Sequence, residues 1–366
     1  MNEIREIGKS EEYGHRHDCG CHGECAHSPA PVPAASAIPR SDGLPREAIP
    51  EGVSTEEAIV PRNPPEIHYS LELYYERLPP WSIATVGTLL RRHDPSVRID
   101  GRSTPTTFLF EYPDRRISPR EKNDHGGTTS ICCLARSAAP PDPQRLWEPL
   151  RQTWGWAGAG EALARCRGSV LITDLVPPNG TIDPVERIRL IQGVLGTILD
   201  ATDVGMPAPL AIHWVPAGHF VSPEEFLPTY RSSNGFVGIP GSINVRVLPE
   251  DLVNEPSTAM NEKTGTPRTE EPRTGTTSSD TPRVRLDTLG LAALGFADFQ
   301  VDATGLPVSE VVRVLYNTSL YVLERGAVIR DGHTIPGITP DQKWPCRVDV
   351  SWMTPRRTVL TIEPIR

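Results

Sequence analysis

Residues 168–215 read GSVLITDLVPPNGTIDPVERIRLIQGVLGTILDATDVGMPAPLAIHWV, and this stretch decides the fold class. Gly168 to Val176 is a run of apolar and β-branched residues of strand length, the composition of a buried strand. Asp183-Pro-Val-Glu186 then has the form of a helix start: Asp as N-cap, Pro at the first helical position and Glu at the capping-box position. Val185, Ile188, Ile191, Leu195, Ile198 and Leu199 follow at helical spacing and form a wide apolar stripe. Pro209 to Val215 returns as a second strand. The order is strand, helix, strand.

The flanking sequence adds further elements. Upstream, His68 to Tyr75, Thr106 to Tyr112 and Thr128 to Ala135 read as strands, and Trp81 to Arg92 as a short helix. Arg115 to His125 reads as a charged loop. Leu146 to Ala164 gives two short helices around Gly155. Downstream, Ser222-Pro-Glu-Glu225 repeats the capping logic and opens a helix through Phe226. Ile243 to Leu248 is a strand, Thr288 to Leu294 a short helix or turn, and Pro307 to Arg325 a helix. Arg347 to Trp352 and Thr358 to Ile362 form an antiparallel pair. The expected class is α+β, with a mixed, largely antiparallel sheet packed with helices.

The 366 residues divide unevenly in composition. Residues 1–65 are polar and rich in proline, and they carry about −5 of the formal net charge of −9. Such a stretch buries too little apolar surface to offset its ordering entropy, so a disordered tail is expected. Residues 249–283 repeat Pro-Arg among Ser, Thr and Glu, and are expected to be a disordered insertion. One α+β domain is expected over 66–366. Its near-neutral charge gives no basic surface for nucleic acid. No run of about 18 apolar residues is available for a membrane span. The N-terminus lacks the apolar core of a signal peptide. The seven cysteines therefore read as thiols or metal ligands in a reducing, cytoplasmic compartment.

The densest group of metal-ligand side chains lies in the tail: His15, His17, Cys19, Cys21, His22, Cys25 and His27. Thiolates and imidazoles suit zinc or another soft or borderline divalent metal. All the ligands crowd one short segment with Gly20 and Gly23, which fits a labile metal-binding tract better than a zinc finger.

The folded part carries weaker signals. His213, beside Trp214 on a strand, has the position of a base or ligand, and His333 lies in the turn Asp331-Gly-His-Thr334. Cys132 and Cys133 point to opposite faces of their strand. Trp147, Trp154 and Trp156 read first as packing a core or domain edge, and second as a partner-binding patch. There is no P-loop, H-E-x-x-H or G-x-S-x-G, and Gly155-x-x-Gly158-x-Gly160 is not a phosphate fingerprint.

A set of motifs carries a resemblance. They are Gln152-Thr-Trp-Gly-Trp156, Ser169-Val-Leu-Ile-Thr-Asp174, Ala211-Ile-His-Trp-Val-Pro216 with Ser222-Pro-Glu-Glu-Phe226, Asp287-Thr-Leu-Gly-Leu-Ala-Ala-Leu-Gly295, Leu315-Tyr-Asn317 with Tyr321, and Asp331-Gly-His-Thr334. In this order and spacing, roughly residues 67–366 outside the insertion resemble an uncharacterised bacterial family of unknown function. The resemblance implies an α+β domain and no established activity. The tail and the Pro-Arg insertion depart from that family's pattern. Within the motifs, His213, Asp287, Asn317 and His333 are the polar residues at which a site is expected.

The functional expectation is a non-enzymatic binding or accessory protein that docks a protein partner, with a metal-binding tail. The alternative is a hydrolase-like enzyme that gathers His213, Asp287 and His333 in one pocket, and Trp214 and Asn317 are candidate binding residues.

Overall fold

A computed structural model describes residues 68–119, 128–175, 180–233, 241–249 and 283–365. The first sheet contains β1 (Ser70–Tyr75), β2 (Arg98–Ile99), β3 (Thr107–Pro119), β4 (Thr128–Ser137), β5 (Gly168–Leu175), β6 (Gly180–Thr181), β7 (Ala211–Trp214) and β8 (His219–Val221). Their order is β2-β3-β4-β5-β1-β7-β8, with β6 beside β3. β1 lies between β5 and β7 and is antiparallel to both. The strand–helix–strand run therefore closes around a third strand, with β5 and β7 parallel to each other but not neighbours.

The helix of that run is α4 (Pro184–Asp200), capped as its sequence requires: Asp183 accepts hydrogen bonds from the backbone N–H groups of Val185 and Glu186. Its apolar stripe is buried from Ile188 to Leu199, with Val185 half-buried, and Gly193 and Gly196 are buried too. A Cβ on Gly193 would meet the ring of His93, and one on Gly196 would collide with the ring of Tyr230. These two glycines let α1 (Ile83–His93) and α5 (Pro223–Ser232) close onto α4. The buried Arg187 of α4 pairs with Asp174 of β5 and also donates to Ala293 O, which tethers the helix to both halves of the fold.

The second sheet contains β9 (Asn244–Pro249), β10 (Val284–Leu289), β11 (Asp298–Asp302), β12 (Thr334–Pro336), β13 (Lys343–Val350) and β14 (Thr358–Ile362). Their order is β12-β13-β14-β11-β10-β9, and only β11 and β14 run parallel. The long helix α6 (Val308–Arg325) packs on β9, β10 and β11 and touches α4. The α+β class holds, and its strands are divided between two sheets. Leu71, Ile172 and Trp214 of the first sheet share one core with Ile191 of α4, Leu315 of α6 and Phe299 and Leu360 of the second. Among the described residues, no helix is long and apolar enough to cross a membrane. The His/Cys tail and residues 250–282 of the insertion lie outside the described residues.

Candidate functional site

Alternation along β1 creates the chemistry of the first sheet's outer face. Leu71, Leu73 and Tyr75 enter the main core, so Glu72 and Tyr74 point the other way. Two short helices, α2 (Pro143–Arg151) and α3 (Ala159–Arg165), pack on that side against β8 and β7. A second, smaller core forms there from Tyr74, Leu146, Leu163, Ala211 and Phe220.

Glu72 lies in this layer at 7% exposure. Ser169 donates to its Oε1 at 2.7 Å, and Tyr74 donates to its Oε2 at 2.7 Å. Arg145 of α2 donates from Nη2 to the same Oε2 at 2.6 Å. Burial raises the Tyr74 hydroxyl's pKa above its ordinary value, and the neighbouring Glu72 charge raises it further. The anion is inside and its cation is outside: the Arg145 side chain is 58% exposed.

His213 faces Glu72 across the β1–β7 pairing and stacks on Phe220, with ring centroids 4.7 Å apart. It is buried, and neither ring nitrogen has a hydrogen-bond partner among the described residues. Burial pushes its pKa down to about 3, with His219 and Arg145 adding to the effect. The ring is neutral at pH 7, so one nitrogen is a donor and the other an acceptor. His219 is pushed down to about 4 by burial, against the opposing contact of its Nε2 with Gly241 O at 2.9 Å.

The outer surface of α2 is aromatic. Trp147 is 62% exposed, and the Arg151 guanidinium lies 5.8 Å from its ring centroid. Trp154, just beyond the helix, is 46% exposed and donates to Gln152. Trp156 is the half-buried member that packs on the smaller core. The first expectation for the tryptophans, core packing, holds for Trp156 alone. Beside α2, the outer face of β3–β4–β5 presents half-buried Leu109, Ile131, Ala135, Leu171 and Leu175.

The other expected residues lie elsewhere. Trp214 is fully buried between Tyr69 and Phe226, so it is a core residue with no surface to bind a partner. Asp287 is buried in the second sheet, where Arg246 donates to both of its oxygens, at 2.8 and 2.5 Å. Arg357 bridges Asp287 at 2.9 Å and Asp298 at 2.7 Å. Arg246 also donates to Thr354 O, so the network clamps the β13–β14 connection onto the sheet. His333 is half-buried in its turn, with its backbone bonded to Arg330 and Cys346. Asn317 is half-buried on α6. Among the described residues, no hydrogen bond, ion pair or ring contact joins any two of His213, Asp287 and His333. Among the described residues, no group of three or more His, Cys, Asp or Glu side chains is placed to hold a metal ion. The seven tail residues from His15 to His27 fall outside that set.

Glu72, Tyr74, Arg145 and Ser169 are the residues the sequence reading missed. The available signal was the i, i+2 pair Glu72 and Tyr74 within an otherwise core-facing strand.

Fold and outer face together define an α+β domain with a small buried polar cluster beside an exposed aromatic ridge. Residues 287–363, from β10 through β14, match the family model described as Domain of unknown function (DUF4261). That window holds Asp287, Asn317 and His333, and it leaves His213 and the α2 face outside. No curated protein and no solved structure matches the chain.

Proposed function

We propose that this chain is a non-enzymatic binding or accessory protein, docking a protein partner on the outer face of its first sheet. The observation that carries this reading is the exposure of Trp147 and Trp154 at α2, with Arg151 stacked on the first of them. Exposed Trp and Arg are the side chains on which binding energy concentrates. The half-buried strip on β3–β4–β5 extends the apolar surface beside them. A hydrolase using His213, Asp287 and His333 is the alternative, and the binding reading is favoured by their different partners: Asp287 is paired with Arg246 and Arg357, while His213 stacks on Phe220. A photo-crosslinking residue at position 147 in the native host is expected to trap a discrete protein that the same residue at exposed Val350 does not. Identical products from both positions would remove Trp147 from the interface.

The second part of the proposal concerns the tail. His15, His17, Cys19, Cys21, His22, Cys25 and His27 supply thiolates and imidazoles for zinc or a similar divalent metal. Untagged full-length protein is expected to purify with metal that is lost on combining Cys19→Ser, Cys21→Ser and Cys25→Ser. Equal metal content in both proteins would place the ligands elsewhere.

A further inference from the structure

The Arg145–Glu72 pair is lopsided. The carboxylate is nearly sealed in the sheet, while the guanidinium stands mostly in water. A solvated cation gives up such a contact at small cost. The buried carboxylate does not tolerate the loss, because it would keep only the hydroxyls of Tyr74 and Ser169 and would lack a counter-charge. Arg145 also underuses the cluster. A guanidinium has five N–H donors, and among the described residues that of Arg145 makes one hydrogen bond, to Glu72 Oε2. Next to Glu72, His213 holds two buried nitrogens without partners among the described residues, one of them an acceptor. On the other side of Glu72, half-buried Leu171 is its register neighbour and offers apolar surface for an aliphatic stem.

We propose that Glu72 is a recognition carboxylate masked by Arg145, and that a basic side chain of the protein partner displaces Arg145, pairs with Glu72 and donates to His213. The source of the basic group rests on the partner-binding reading above. The cluster itself can be tested without the partner.

The test uses full-length Arg145→Ala and ethylguanidinium as the probe, followed by NMR titration. The variant is expected to bind the probe saturably at roughly millimolar concentration, the range open to so small a ligand, and the unsubstituted protein about tenfold more weakly. Adding Glu72→Gln to Arg145→Ala is expected to abolish binding, and adding His213→Phe to weaken it several-fold. If Arg145→Ala does not fold, Arg145→Gln takes its place with the same expectations. No saturable binding in the variant, or equal binding with and without Glu72→Gln, overturns the proposal. Trp147→Ala is expected to leave the titration unchanged, so a failed docking surface and a failed recognition carboxylate give separate results.

Discussion

Arg357 sits between Asp287 and Asp298 at the bottom of the β13–β14 connection, and the three side chains are all buried. Removing one member of a buried ionic network strands the others, which typically costs about 3–5 kcal/mol. Asp287→Asn is therefore expected to lower the denaturant midpoint strongly, because Arg246 loses its anion and Arg357 is left with Asp298 as its carboxylate partner. An unchanged midpoint would contradict the clamp. A second expectation concerns acid. His213 and His219 titrate near 6.5 when unfolded and near 3 and 4 in the fold. Protonation therefore favours the unfolded chain. The stability linked to these rings is complete above about pH 6.5 and is lost as pH falls through that value toward the folded-state values. Each ring contributes a slope of up to about 1.4 kcal/mol per pH unit. Denaturation curves between pH 7 and 5 are expected to show this slope, and His213→Phe to flatten it. A slope unaltered by that substitution would count against a buried neutral His213. His213 and Asp287 were visible in the sequence as polar residues inside apolar motifs. Glu72 was not singled out, since two of its three partners, Arg145 and Ser169, lie 73 and 97 residues away and depend on the docking of α2 and on β1–β5 pairing.

Elements with local signals were the most legible. Asp183 and Ser222 cap α4 and α5 as their sequences require. Non-local pairing changed other boundaries. Arg115 to His125 reads as a charged loop, yet β3 continues through Pro119, because after a register shift Arg116 and Ile117 pair with Thr129 and Thr128. Thr288 and Leu289 complete β10 instead of opening a turn, held by β9 pairing. In α4 the helix interior tests packing against propensity. Alanine is the better helix former than glycine by about 1 kcal/mol. At Gly196, however, the added Cβ collides with the Tyr230 ring. Overpacking costs about 1–3 kcal/mol, so Gly196→Ala is expected to lower the melting temperature. A rise would show that α5 moves aside freely.

Across the whole molecule, the α+β class followed from segment order, while the division into two sheets did not. That division depends on which strands pair, and the decisive contacts join distant segments through one shared core. The tryptophans were ambiguous for a related reason: composition does not say which face of α2 meets the sheet, and the structure turns Leu146 inward and Trp147 outward. The docking claim is tested most directly by affinity capture from the native host, with Trp147→Ala/Trp154→Ala beside the unsubstituted chain. Hot-spot tryptophans typically contribute 2 kcal/mol or more, about 30-fold in affinity. The account predicts a specific protein retained by the unsubstituted chain and lost at least tenfold by the double variant, with an unchanged melting temperature because both side chains are exposed. Equal recovery with both chains, or no specific protein with either, would contradict it.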